Sequence, residues 1–364
     1  MAVDTIPASH ELAVQQWEEG LEAEVLKKTH GLAFMGKRSD SLFQMRDRLT
    51  KNAGESMRIG LRMQNNSAPK SSGTTIEGTE RVLDLYYADF RIDEFADAFR
   101  WRNIMDRQRV TFEHRDEAKA ALSDLLSNAF DVSVFNQLAG VPDPGGAVTF
   151  EGNNPIIPPD NNHILTEGGG ADTVAGELSI TSADVFNLDM ISRARQKAKL
   201  LTPAIRPARI PGFSKPYYVQ FVHPWQAFDM KESDSRWDRV HMALLQAGKT
   251  EDNPLFTGAL GVWDDTLIVE NTRVPSPGDS TDGTLIRRGI FCGAQSLLCG
   301  WGRIGGNPNR FRWVEKLFDF DREMGIMGGF VAGLKKSVFR QDLAGPNFFD
   351  FATIVTSTGS PNES

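Results

Sequence analysis

Apolar residues recur mostly at spacings of three and four over residues 9–30, where Leu12, Val14, Trp17, Leu21, Val25 and Leu26 mark one face of an amphipathic helix. Ser9 suits its N-cap, and Gly31, just past Lys27, Lys28 and His30, suits its stop. Residues 32–54 carry few signals. The period then becomes two: Met57, Ile59, Leu61 and Met63 alternate with Arg58, Gly60 and Arg62, as in a strand. Residues 65–80 are Asn, Ser, Gly, Pro and Thr with almost nothing apolar, which predicts a long exposed tip. Val82, Leu83, Leu85, Tyr86 and Tyr87 resume a strand that continues through Phe90, Ile92 and Phe95. Two strands and a polar tip make a hairpin arm over 55–97. An isolated two-stranded hairpin is marginal in water, so the arm needs something to lie on, and a neighbouring subunit is one candidate.

The strongest helical pattern covers 112–139. Thr111 suits its N-cap, and Glu113, Asp116 and Glu117 crowd the first turns, where the helix dipole favours negative charge. Ala118, Leu122, Leu125, Ala129 and Val132 form one stripe; Leu126, Phe130, Val134 and Leu138 form its neighbour. Gly140 and Pro142 end the pattern. Residues 141–177 are dense in Pro, Gly and Asn with no sustained period, which predicts a long exposed functional loop. A helix follows over 182–201, then a buried strand over 217–222 stopped by Pro224. Residues 225–247 read as helix with a break near Ser233, and 254–274 as strands around a turn at Asp264 and Asp265. The apolar, small-residue run 287–299 reads as a helix. Residues 312–355 alternate like strands. No internal repeat is apparent, and the plan is α+β.

Composition adds that 40% of the residues are hydrophobic, ample for one large or two modest cores. No run approaches the length of a transmembrane helix, and residues 1–11 lack the basic head and apolar stretch of a signal peptide, so a cytoplasmic site of synthesis is expected. Cys292 and Cys299, on one face of the expected helix, would lie about 10 Å apart, too far for a disulfide; buried reduced thiols are expected. The net charge of −8 lacks the basic excess usual in duplex-gripping proteins, yet is compatible with a container for DNA.

Several motifs approach catalytic chemistry without reaching it. Gly300-Trp301-Gly302-Arg303-Ile304-Gly305 fits the dinucleotide pattern G-x-G-x-x-G, but it would follow a helix, and Asn307-Pro308-Asn309 does not readily open one. Residues 328–337 resemble a phosphate loop, but Leu334 separates Gly333 from Lys335, so a Gly-rich strand or bend is expected. The six histidines, His10, His30, His114, His163, His223 and His241, include no pair at helical metal-site spacing. His223 suits a hydrogen-bonded structural role beside Pro224. Asp319 and Asp321 would share one strand face, and a solvated face is expected over acid–base or Mg²⁺ work. No G-x-S-x-G nucleophile motif occurs. No cofactor, metal or catalytic residue is therefore assigned, and the chain is not expected to be an enzyme.

Taken in order, a set of segments resembles the major capsid family typified by the N-four-like podophages. They are the opening helix with Trp17, the block Leu83-Asp84-Leu85-Tyr86-Tyr87, and the helix end Phe135-Asn136-Gln137-Leu138-Ala139-Gly140. Phe221-Val222-His223-Pro224 follows, then Asn253-Pro254-Leu255-Phe256-Thr257-Gly258-Ala259-Leu260-Gly261 running into Leu267-Ile268-Val269-Glu270, and last Gly293-Ala294-Gln295-Ser296-Leu297. The resemblance covers about residues 10–355. It implies the Hong Kong 97-type fold: an N-terminal arm (1–54), an extended β-hairpin loop (55–97) and a peripheral domain (98–204) with a spine helix (111–139) and the unmapped insertion 141–177. An axial domain (205–310) and C-terminal strands returning to the peripheral domain (311–364) complete it.

The implied function is a shell of hexamers and pentamers around double-stranded DNA, with a portal and scaffolding or decoration proteins as partners and no membrane. The virion capsid is the expected location. The contact residues expected on the hairpin are Met57, Ile59, Leu61, Asn66, Lys70, Thr75, Glu77, Leu83, Leu85 and Tyr87. Three rivals stand beside this reading: an encapsulin-type compartment, a nucleotide-dependent enzyme built on the Gly300 motif, and a phage tail or portal component.

Overall fold

A computed structural model describes residues 25, 29, 31–46, 55–62, 69, 71, 76–78, 80, 85–101, 114–141, 154–168, 170–211, 213, 215–239, 259–302, 310–319, 322–340 and 349–361. Apart from Val25 and Thr29, the opening helix lies outside them. The strands run in chain order β1 (Met35–Gly36), β2 (Phe43–Arg46), β3 (Ser56–Arg62), β4 (Leu85–Arg91), β5 (Asp93–Trp101) and β6 (Ile164–Thr166). Next come β7 (Tyr218–Val222), β8 (Gly261–Trp263), β9 (Thr266–Glu270), β10 (Gly278–Asp279), β11 (Leu285–Cys292) and β12 (Leu297–Trp301). The last are β13 (Phe311–Phe318), β14 (Glu323–Lys336), β15 (Val338–Phe339), β16 (Phe349–Asp350) and β17 (Thr353–Gly359). The α-helices whose bounds lie among the described residues are α1 (His114–Ala139), α2 (Leu188–Leu200) and α3 (Pro224–Ser233).

Two mixed sheets carry the molecule. One has the order β1-β2-β12-β14-β13, with β5 also paired to β14; the other runs β6-β17-β11-β7-β9-β8, with β10 on β11. The long α1 packs between them. Phe130 stacks on Trp301 at 5.7 Å on one side, and Phe135 meets Phe221 edge-on at 5.2 Å on the other. Every described residue from Phe130 to Val141 is buried, so the second half of α1 is enclosed on all sides. Leu125, expected in the apolar stripe, is 40% exposed instead. A second core forms where α2 and α3 cover the opposite face of the β7/β9/β11/β17 sheet, through Ile191, Met230, Phe291 and Ile354.

Local chemistry explains several boundaries. Gly140 ends α1 at φ +67°, and the Val141 N–H donates to Asn136 O, the six-to-one bond of a Schellman stop. Asn187 caps α2 by accepting from Met190 N, so that helix starts at Leu188 and not at 182. His223 caps α3: its Nδ1 accepts from Trp225 N, and Gln226 accepts in return from His223 N, which is the expected structural role. Asp264 and Asp265 both have positive φ, the two-residue turn that joins β8 to β9.

Other expectations are corrected. The run 287–299 is not a helix but two strands, β11 and β12, joined at a turn where Gln295 has φ +64°. Nearly all of their residues are buried, so no polar face interrupts the apolar run, and periodicity could not separate strand from helix. Cys292 and Cys299 therefore sit in different sheets; both are buried free thiols. The G-x-G motif begins inside β12 and follows no helix. A Cβ on Gly300 would come within 2.3 Å of the Phe90 ring, and one on Gly302 within 2.3 Å of Val331, so these glycines make room for side chains. Asp319 lies in the turn after β13 at φ +48°, off any strand face, while Asp321 is outside the described residues. Of the two expected forms of residues 328–337, strand or bend, the structure has the strand: β14 carries them as far as Lys336.

The described part of 141–177 is not an exposed loop. β6 within it pairs in parallel with β17. Glu177 is buried at 3% exposure and forms an ion pair with Arg288, also at 3%.

Candidate functional site at the hairpin root

β3 and β4 pair antiparallel over their whole length, with Met57 opposite Phe90, Ile59 opposite Ala88 and Leu61 opposite Tyr86. The alternation in the sequence thus places Met57 and Ile59 on one face. That face lies on the chain's own core: Ala88 and Phe90, each 1% exposed, cluster with Leu298 and Phe339, and Met57, Ile59, Tyr86, Ile92 and Phe351 pack around them. The hairpin root therefore lies on the body of its own chain, through Leu298 and Phe339, where a neighbouring subunit was one candidate. The arm also ends earlier than expected. The chain leaves it after Arg91, and β5, from Asp93, belongs to the β14 sheet.

Polar contacts lock the same root. Tyr87 and Arg340 exchange two backbone hydrogen bonds of 3.0 Å. The Arg340 guanidinium donates to Asp89 at 2.8 Å, and Lys335 Nζ donates to Asp89 O at 2.6 Å. Burial would raise the Asp89 carboxyl, but the positive charges of Lys335 and Arg340 outweigh it and hold the pKa below its ordinary value. Burial also lowers the Lys335 ammonium, against the pull of Asp89. On the other side, Asn154 accepts from Arg91 N at 2.8 Å and donates to Arg91 O at 2.6 Å, which ties the 154–160 segment to β4. Arg58 and Arg340 both lie over the Tyr87 ring, at 5.0 and 5.4 Å.

The expected contact residues thus divide. Met57, Ile59 and Tyr87 sit at the root and pack on their own chain. Leu61 and Leu85 belong to the last paired rungs, but their side chains are outside the described residues. Glu77 is exposed in a turn at the tip beside Ile76, which is 67% exposed, and Gly78, at φ +78°. Asn66, Lys70, Thr75 and Leu83 lie outside the described residues. Sequence reasoning missed Asp89, Asn154, Lys335 and Arg340. The one available signal was that Lys335 and Lys336, taken there as part of a broken phosphate loop, stand in a strand with no exposed run.

Among the described residues no cluster of three or more His, Cys, Asp or Glu could hold a metal ion, and no helix is long and apolar enough to cross a membrane. What the site offers is mechanical: two strands anchored rigidly at one end, with polar residues at the other.

Comparison with known proteins gives this geometry a context. The family model described as "Phage capsid protein" matches residues 5–362. The chain belongs to the phage capsid protein family. A capsid relative, the major capsid protein of Pseudomonas phage KPP25, is 29% identical over 307 residues, 77% of each chain. Among solved structures, the capsid of Ralstonia phage GP4 superposes with a TM-score of 0.74 at 24% identity, covering 90% of both chains. The capsid of cyanophage Pam1 gives 0.72 at 17%, covering 92% of this chain and 93% of the other. The fold is the α+β, Hong Kong 97-type fold of phage capsid subunits.

Proposed function

We propose that this chain is the major capsid protein of a tailed bacteriophage and builds its icosahedral head from hexamers and pentamers of itself around double-stranded DNA. The observation that carries the reading is the match to a capsid family over nearly the whole chain, joined to a hairpin anchored at its root and polar at its tip. A stiff root lets the tip of the arm, near Glu77, meet a neighbouring subunit at a fixed distance and angle. Contacts of this head-to-tail kind close into rings, and many modest interfaces make a lattice stable though each is weak alone. On this reading 1–54 is the N-terminal arm, 55–91 the extended loop and α1 the spine of a peripheral domain. The axial domain lies within 205–310, and 311–364 returns to the peripheral domain. A portal and scaffolding or decoration proteins complete the head, which assembles in the host cytoplasm.

The test is deletion of residues 66–79 from the full chain. Soluble, folded subunits that build no shells in negative-stain microscopy are expected; normal shells refute the role of the tip. The contents of purified particles decide against an encapsulin-type compartment: DNA supports the phage head, and a protein cargo overturns it.

A further inference from the structure

In a chain of net charge −8, the stretch from Met190 to Phe228 holds seven Lys and Arg and no Asp or Glu. The fold sorts six of these bases into two groups, apart from Lys199, which is exposed near the end of α2. Arg193 pairs with Glu167 at 3.0 Å, Arg195 with Asp264 at 2.7 Å and Asp265 at 2.6 Å, and Lys197 donates to Ile164 O at 2.7 Å; these hold α2 in place.

Arg206, Arg209 and Lys215 are different. All three are exposed, and among the described residues none has a carboxylate partner; Arg206 reaches only the neutral Gln295 Oε1 at 3.4 Å. Their backbone is nonetheless fixed. Ala208 and Tyr217 exchange hydrogen bonds of 2.8 and 2.9 Å across the loop that carries Arg209 and Lys215. Arg206 O accepts from Ala294 N at 2.8 Å, and Arg209 N donates to Asp40 O at 2.7 Å. The last bond brings in the 31–46 segment, whose Lys37 and Arg38 line, with Arg209, an open groove of about 380 Å³. Asp40, the acid in that groove, is taken by Arg38 at 3.0 Å.

We infer that this face, through Arg206, Arg209 and Lys215, turns to the lumen and rests on the phosphates of the packaged duplex. The inference rests on the reading of the chain as a DNA-filled shell. Like charges held on a rigid frame repel one another, and an external polyanion relieves that repulsion. Exposed, flexibly tipped cations on fixed backbone suit contact with phosphates without regard to sequence. Arg206 and Arg209 allow bidentate contacts. A handful of such contacts per subunit gives a weak, salt-sensitive hold, which leaves DNA free to move during filling and release.

The test uses the full chain as unassembled subunits and a short blunt DNA duplex. Binding is measured between about 50 and 200 mM salt, where each phosphate contact contributes about 0.9 to the slope of log K against log salt. The triple variant Arg206→Gln, Arg209→Gln, Lys215→Gln is expected to lower that slope by about 2 to 3. Arg206→Lys with Arg209→Lys is expected to keep it. Equal slopes in the wild type and the triple variant, or no salt-dependent binding by the wild type, overturn the inference. So does a triple variant that binds DNA as before but no longer forms shells, which reassigns the face to a second copy of the chain. Shell formation by the wild type is scored separately and bears on the capsid reading alone.

Discussion

Arg288 and Glu177 form an ion pair with both side chains buried at 3% exposure, and its loss should be costly. The Arg288 guanidinium donates to both Glu177 oxygens, 2.8 and 2.6 Å away, and to the last carbonyls of α1, Ala139 O at 3.1 Å and Gly140 O at 3.3 Å. Ser357 donates to the same carboxylate from β17. One cation therefore joins the end of α1, the 176–179 turn, β11 and β17. Replacing Arg288 with Met leaves a carboxylate at 3% exposure without its cation and uncaps two helix carbonyls. Removing one partner of a buried pair costs about 3–5 kcal/mol, a large part of the ~5–15 kcal/mol that a folded protein has. The double variant Glu177→Leu/Arg288→Met buries no lone charge, so it should recover most of that loss. A coupling energy of about 2–3 kcal/mol between the two sites is expected. The assay is urea unfolding of unassembled subunits followed by tryptophan fluorescence, since Trp301 and Trp313 are fully buried. Subunits must stay unassembled, because assembly adds its own stabilisation. A loss under about 1 kcal/mol for Arg288→Met, or additive single losses in the double variant, would refute the reasoning.

Other outcomes follow from the same geometry. Gly300→Val drives a side chain into the Phe90 ring, so it should destabilise the fold by about 1–3 kcal/mol and loosen the hairpin root, read as faster hydrogen exchange in β4. A loss of dinucleotide binding as its main effect would instead revive the nucleotide reading. The folded pKa of Asp89 is depressed, so its contribution is present above the ordinary carboxylate value, near 4, and is lost as pH falls through the folded value. Exchange at residues 85–91 should therefore rise only in that acid window, and Asp89→Asn should show the raised exchange already at neutral pH; an unchanged Asp89→Asn profile counts against the root contacts. Burial pushes the Cys292 thiol up to about 12, and Cys299 is equally buried, so neither should react with a thiol reagent at mildly alkaline pH until the chain unfolds. Rapid labelling of the native protein would show that the two-sheet core opens.

The sequence by itself determined the elements whose own residues carry a period or a local end signal. α1 was legible from its stripes, its acidic first turn and Gly140; β3 and β4 from their alternation; the β8–β9 turn from Asp264 and Asp265. It also carried the ordered segments that resemble the capsid family, now matched over residues 5–362. Tertiary structure alone decided β11 and β12. Strands buried on both faces lose the polar half of their alternation, so a continuous apolar run fits a helix equally well. It also decided that 154–177 is part of the body, because the partners that hold that segment, Arg288, Asp350 and β17, lie more than a hundred residues along the chain. The hairpin root follows the same rule. Met57 and Ile59 show a face in the sequence, but only folding brings Leu298, Lys335, Phe339 and Arg340 beneath it, since periodicity records which side of an element is buried and never against what.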